Sequence, residues 1–329
     1  MTTADIPAPD RPAVGIALIL LGVTAISVND MLIKQLSGGY PLHQLVFTRS
    51  AIALVFTLTL VQLEGGWRLL KTDRPLLHLF RGLCIVVANM SFFAAIAVLP
   101  LAEATALFFA APLFITVLSV PILGEKVGPL RIGAVVVGFL GVVIMQRPWA
   151  GEATLDVPRA VLLLPVFAAL MYAMMQLMTR KLGVGARASA MAVYIQGSFL
   201  LVSALFWLVA GDGRFAAGME NESLRFLLRA WIWPEGTDRW LFLGLGLCSA
   251  VIGYCLSAAY RIASAATVAP FEYVGLPLAV LWGWAIWGDL PAPEVWAGIA
   301  LIVGAGLFVF LRERQKARPV ASRRPARRH

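Results

Sequence analysis

Charge is scarce in this chain. Of its 329 residues only 14% are Asp, Glu, Lys or Arg, where a soluble domain carries about a quarter. Apolar residues reach 60% and the mean hydropathy is +0.83. The apolar runs lack the period-two alternation of β-barrel spans, which are about 10 residues long. Cysteine is rare too. The three present, Cys84, Cys248 and Cys255, fall inside apolar runs, so no disulfide framework is expected. Cys248 and Cys255 share a helical face without His or acid neighbours there. They read as small packing residues, and no metal site is expected. A G-x-x-x-x-G-K-[ST] phosphate loop is absent, which excludes ATP-driven transport by this chain alone. HExxH, paired CxxC and G-x-S-x-G patterns are missing as well, and no cofactor is expected. An intramembrane enzyme or lipid-handling protein survives as an alternative only through scattered residues such as Asp30 and Glu272.

What remains is long apolar segments. A membrane-crossing helix needs about 20 mostly apolar residues. Ten segments fit, at 14–35, 42–63, 76–98, 102–123, 129–146, 159–179, 188–210, 240–260, 266–287 and 295–311. No single soluble core buries ten such helices. The first segment follows an N-terminus carrying Asp5 and Asp10, unlike the basic n-region of a signal peptide, so it is expected to be retained.

The segments repeat. Pro112, Gly124-Glu125, Gly133 and Gly141 in the first half answer to Pro277, Gly288-Asp289, Gly298 and Gly306 in the second. The starts of the halves match too: Asn29-Asp30 to Lys34 parallels Met175-Gln176 to Arg180, and Phe47-Thr-Arg49 parallels Tyr194-Ile-Gln196. Five helices per half is an odd number, so the second copy enters from the opposite side. The expected fold is therefore an all-α polytopic membrane protein, with ten transmembrane helices as two inverted five-helix repeats. Repeats of this kind place a transporter's substrate site between the copies.

Arg68, Lys71, Arg74, Arg131, Arg180, Lys181 and the tail lie on the side of the termini. The positive-inside rule makes that side cytoplasmic. The tail, 312–329, holds eight Lys or Arg against one acid. It accounts for most of the formal charge of +9 and fits contact with anionic lipid, so no nucleic-acid partner is needed. The segment 214–235 mixes Leu224, Leu227, Leu228 and Trp231 with Glu222, Arg225 and Arg229, as an amphipathic helix in the outer interface would. The expected layout is a cytoplasmic segment 1–13, a first repeat 14–146, a second repeat 158–311 including 214–235, and a basic cytoplasmic tail 312–329.

Charges inside a bilayer cost a few kcal/mol each and face a partner or a wet cavity. Asp30 and Lys34 share a face of the first helix, and Arg49 reaches similar depth on the second. Asp30 and Arg49 read either as a structural ion pair or as the charged lining of a cavity. Glu272 follows Pro270 and precedes Tyr273 and Pro277. Proline frees backbone groups, and a carboxylate there resembles the discontinuous-helix sites of carriers. The candidate cavity residues are Asp30, Arg49, Gln176, Tyr194, Gln196, Glu272 and Tyr273, with Asp30 and Glu272 as coupling candidates. Glu103, Arg81, His43 and His78 lie nearer span ends, where snorkelling or interface contacts explain them.

Several stretches carry a family likeness: Val28-Asn-Asp-Met-Leu-Ile-Lys34, Asp73-Arg-Pro75 with Leu79-Phe-Arg-Gly82, Ala111-Pro-Leu-Phe114, Gly124-Glu125 and Ala269-Pro-Phe-Glu-Tyr273. With the duplicated layout, the chain resembles the drug/metabolite transporter superfamily in its EamA or RhaT-like branch. Within that branch, the opening and the Arg-Pro…Leu-Phe-Arg-Gly stretch are similar to S-adenosylmethionine uptake carriers, and riboflavin and amino-acid carriers share the architecture. The resemblance implies a secondary carrier of a small organic metabolite, working by alternating access, with proton coupling or exchange. It would sit in the plasma membrane (the inner membrane of a Gram-negative cell) as a monomer or homodimer.

Overall fold

The computed structural model describes residues 12–125, 127–147, 149, 157–182, 188–262 and 268–317. Most of the expected N-terminal segment and of the basic tail lies outside them. Among the described residues the regular structure is all helix, and eight helices are long and apolar enough to cross a membrane. They are α1 (Pro12–Leu36), α2 (Leu42–Glu64), α3 (Pro75–Ile96), the pair α4 (Leu101–Phe108) and α5 (Ala111–Leu123), α7 (Arg159–Leu182), α8 (Ala188–Ala210), α10 (Asp238–Ile262) and α12 (Pro293–Ala317). A shorter apolar helix, α6, spans Pro129–Met145. The remaining expected segment, 266–287, is not one continuous α-helix. It runs as a 3-10 turn Ala269–Val274, α11 (Gly275–Trp282) and a π turn Gly283–Trp287.

Proline and glycine explain these interruptions. Pro112 lacks an N–H and disfavours helical backbone just before it, so α4 ends at Phe108 and α5 begins at Ala111. Pro270 opens the 3-10 turn in the same way. The Gly-acid pairs of the repeat are helix stops. Gly124 (φ +70) and Gly288 (φ +72) are left-handed, a conformation that glycine adopts without Cβ strain. Glu125 N–H then donates to Ser119 O at 3.3 Å and Asp289 N–H to Gly283 O at 3.0 Å. Gly124 N–H donates to Val120 O at 3.0 Å and Gly288 N–H to Trp284 O at 3.1 Å, the five-to-one bond of an αL cap.

Short connections make successive spans antiparallel. We call the face where α1 begins the near face and the other the far face. Across the bundle α1 packs on α10, α3 on α7, α2 on α8, and α6 on α12. Without a hydrophobic drive between helices in lipid, small residues let backbones approach. The α6–α12 crossing depends on this: a Cβ on Gly141 would lie 2.9 Å from Gly298 O. Large apolar side chains such as Leu130, Val136 and Leu140 of α6 and Leu201, Leu205 and Leu208 of α8 point outward, as lipid contact requires.

The far face is strapped by a segment more compact than the expected helix over 214–235. Only α9 (Glu222–Leu228) is helical, with Asn221 accepting from Leu224 N–H at its N-cap. Left-handed glycines Gly213 and Gly218 interrupt the stretch before it. Phe226 is buried, and Ser223 Oγ donates to Ala94 O at 2.8 Å. Gln44 exchanges two hydrogen bonds with the Ile232 backbone (2.6 and 3.3 Å), and His43 Nδ1 lies 3.0 Å from Leu227 O. Arg229 donates to the carbonyls of Ser37 and Gly38. Tyr40 closes the seam by donating to Asp238 Oδ2 at 2.8 Å. Burial and that neighbouring carboxylate push the Tyr40 phenol above its ordinary value.

Candidate functional site

Arg49, on α2, is buried. Its Nη2 donates to Asn89 Oδ1 of α3 at 2.8 Å and its Nη1 to Asn29 Oδ1 of α1 at 3.4 Å. The guanidinium lies 5.0 Å from the Phe93 ring centroid and 5.3 Å from that of Phe199 on α8, within cation–π range. Four helices therefore hold one charge. Asp30 belongs to the same network by one further step, since Asn29 Nδ2 donates to Asp30 Oδ1 at 3.1 Å. Of the two readings of Asp30 and Arg49, a direct ion pair is absent and a bridge through the Asn29 amide stands in its place. Asn89 and Phe93 are four residues apart on one face of α3, so a single helix supplies both an acceptor and a ring.

A second polar group lies on α7. Gln176 Nε2 donates to the Tyr172 hydroxyl at 2.9 Å. Glu272, in the 3-10 turn, is close enough for its charge to bear on Tyr172 and Tyr273. The Tyr273 ring stacks on Phe109 at 5.1 Å and its hydroxyl fills a notch that a side chain on Gly306 would occupy. Tyr273 is thus held by packing on two sides.

Aromatic rings join the two groups. Phe93 meets Phe92 at 5.6 Å, Phe92 meets Phe108 at 5.2 Å, and Phe108 meets Tyr172 at 5.4 Å. These separations suit edge and offset contacts.

Other candidates lie apart. The Tyr194 hydroxyl donates to Leu70 O and its ring stacks on His78, which ties it toward the near face, away from Asp30. Gln196 is half-buried. Lys34 leaves Asp30 for the end of α3, where Nζ donates to Ile96 O (3.0 Å) and Leu99 O (2.6 Å) and lies 5.2 Å from the Trp287 ring. Arg81 does not snorkel, and the two histidines near span ends are covered as well. Arg81 is 4% exposed, His78 3% and His43 0%, because α7, α8 and α9 cover them. Asn29, known from the sequence only as part of a motif, joins the site with Asn89, Phe93, Phe108, Tyr172 and Phe199, which the sequence did not single out. Their signal was four-residue spacing, as in Asn89–Phe93 and Tyr172–Gln176.

Known proteins identify the family. The family model described as the EamA-like transporter family matches residues 13–147. A riboflavin transporter of Rhizobium johnstonii is 32% identical over 315 residues, covering 95% of this chain and 96% of its own. One from Vibrio cholerae is 33% identical over 282 residues, covering 85% and 86%. An S-adenosylmethionine uptake transporter of Rickettsia prowazekii is 28% identical over 301 residues, covering 92% and 94%. A protein of known crystal structure shares the fold at a TM-score of 0.60 with 20% identity, covering 92% of this chain and 99% of its own. The chain is a multi-pass membrane protein, a transporter and not an enzyme, and belongs to the EamA-like transporter family of the drug/metabolite transporter superfamily.

Proposed function

We propose that the chain is a secondary carrier of a small metabolite with a flat heteroaromatic ring, riboflavin first among them. The observation that carries this reading is the run of rings from Phe93 to Tyr172 with a polar group at each end. Aromatic faces take a planar ring by stacking. Asn29, Asn89, Arg49 and Gln176 take hydroxyls, carbonyls and ring nitrogens. The riboflavin-transporting relatives support the same choice. S-adenosylmethionine is the second reading, favoured by the two carboxylates, Asp30 and Glu272, that a sulfonium cation would meet. Uptake of labelled riboflavin and labelled S-adenosylmethionine into proteoliposomes separates them. The expected result is saturable riboflavin entry, recovered unmodified. Entry of S-adenosylmethionine alone reverses the order, and an altered product returns the enzyme reading.

The finer architecture in this proposal is two inverted repeats that rock about a shared cavity. A two-fold axis relating helices α1, α2, α3 and α6 to α7, α8, α10 and α12 exchanges the α1–α10 contact with the α3–α7 contact. It returns α2–α8 and α6–α12 to themselves, and all four contacts are present. The matching caps at Gly124 and Gly288 support it further. With both termini cytoplasmic, a cysteine placed at Arg318 reacts with an impermeant label only after permeabilisation, while one at Glu222 reacts in intact cells. The opposite pattern inverts the topology.

A further inference from the structure

Two side chains of α3 are buried yet take no part in the site above. Arg81 and His78 are three residues apart on one face, 4% and 3% exposed. Arg81 Nε donates to Thr179 Oγ1 of α7 at 2.7 Å. Its Nη1 is buried without a hydrogen-bond partner, and so is His78 Nδ1. No carboxylate pairs with Arg81 among the described residues. The contrast with Arg49 is direct: that guanidinium has two amide acceptors and two ring faces. The surroundings of Arg81 are fixed. The His78 ring stacks on Tyr194 at 4.4 Å, and Tyr194 is anchored to Leu70 O. Gly82 draws α3 against α8, since a Cβ there would collide with Ser198. Arg81 is the seventh residue of α3, about two turns from the near-face end.

A buried cation without a counter-charge costs several kcal/mol, and one neutral hydroxyl does not offset that. A guanidinium fork with a free N–H suits an oxyanion, and a neighbouring imidazole N–H adds a second donor. We propose that Arg81 and His78 form a binding site for a carboxylate or phosphate group, entered from the near face between α3, α7 and α8. The Arg81 Nη1–H and His78 Nδ1–H donate to the oxyanion, while Thr179 holds the guanidinium in place. Two sources share this chemistry: a small anionic solute, and the phosphate of an anionic lipid headgroup. The site is independent of the riboflavin reading, because riboflavin carries no anionic group.

The test uses the full chain in nanodiscs of phosphatidylcholine alone, or with phosphatidylglycerol. Thermal unfolding is followed against inorganic phosphate, with chloride at matched ionic strength as control. A ligand that binds only the folded state raises Tm. The expected result is a saturable, phosphate-specific rise in phosphatidylcholine. Arg81→Gln should weaken it by about tenfold or more, the worth of a charge-assisted hydrogen bond, and Arg81→Lys should restore part of it. His78→Phe, which keeps the stack on Tyr194 and removes Nδ1, should weaken it as well, and it carries the test if Arg81→Gln does not fold. A rise that comes with phosphatidylglycerol, to which phosphate adds nothing, and that the same variants abolish identifies a lipid headgroup as the source. No phosphate or phosphatidylglycerol effect on the wild type, or an effect that His78→Phe and a folded Arg81→Gln leave intact, overturns the proposal; should Arg81→Gln not fold, an effect that His78→Phe leaves intact overturns it.

Discussion

Arg49 is joined to Asp30 through one side chain, the amide of Asn29, which accepts from the first at 3.4 Å and donates to the second at 3.1 Å. The charges therefore respond unequally to removal. Breaking a direct buried ion pair costs about 3–5 kcal/mol, but Asp30→Asn leaves every hydrogen bond of Arg49 in place. It should lower stability by less than about 1 kcal/mol, the worth of one net hydrogen bond. Arg49→Gln leaves the Asn89 and Asn29 carbonyls short of a donor and should cost about 1–3 kcal/mol. The double variant should not recover stability, and all three should lose transport. Melting temperatures with proteoliposome uptake check this; wild-type transport in the double variant would remove both residues from the site.

Coupling is tested at Glu272. An intramembrane carboxylate is a candidate proton carrier. Glu272→Gln should abolish the response of uptake to an imposed pH gradient while leaving substrate exchange. If the gradient still drives both Glu272→Gln and Asp30→Asn as it drives the wild type, neither carries the proton.

The α6–α12 crossing gives a packing prediction. Gly141→Val puts a side chain within 2.9 Å of Gly298 O, and overpacking of this kind costs about 1–3 kcal/mol. Gly133→Ala is the control on the same helix, with nothing within 4 Å of the new Cβ. It should be neutral, or more stable by about 0.5–1 kcal/mol from helix propensity. Equal losses from both would place the sensitivity in the helix itself and not in the crossing.

Tyr40 supplies a pH prediction. Its phenol is raised above the ordinary value by burial and by Asp238, so the folded state holds that proton more tightly than the unfolded chain does. The resulting stability is complete below the free phenol's value of about 10 and is lost as pH rises beyond it. Tyr40→Phe should cost about 1 kcal/mol at neutral pH and flatten the alkaline fall in Tm. A variant that melts as the wild type does at both pH 8 and pH 10.5 would show that the bond contributes nothing.

How much of this was legible in the residues alone varies with range. Helices follow from local apolar length, so the eight long spans and α6 stand where hydropathy put them. The Gly-acid pairs were visible as a repeat, yet their meaning as left-handed caps needed backbone angles. Range limited the site. Asp30, Arg49 and Glu272 stood out as charges in apolar runs, but Asn89, Phe108 and Tyr172 matter through which helix they meet, and one sequence does not state that. The burial of Arg81 and His78 is hidden for the same reason: distance from a span end says nothing about the neighbour that covers it. The helix in the strap is shorter than its amphipathic spacing because the left-handed Gly218 lies ahead of α9 and Arg229 closes it in extended backbone.

Lys34 has a consequence for motion. Its ammonium is shared between the carbonyl end of α3 and the Trp287 ring, so one side chain on α1 clasps a helix of each half on the far face. Hydrogen bonds keep to about 2.7–3.2 Å in most cases, while a cation over a ring tolerates about 6 Å. As α3 and the 283–287 turn separate, the carbonyls are lost first and the ring keeps its hold. Lys34 then travels with α1 and Trp287, and α3 is left with two bare carbonyls at its end. In the proposed rocking of the repeats, the far face would therefore release in a definite order, the α3 terminus letting go first.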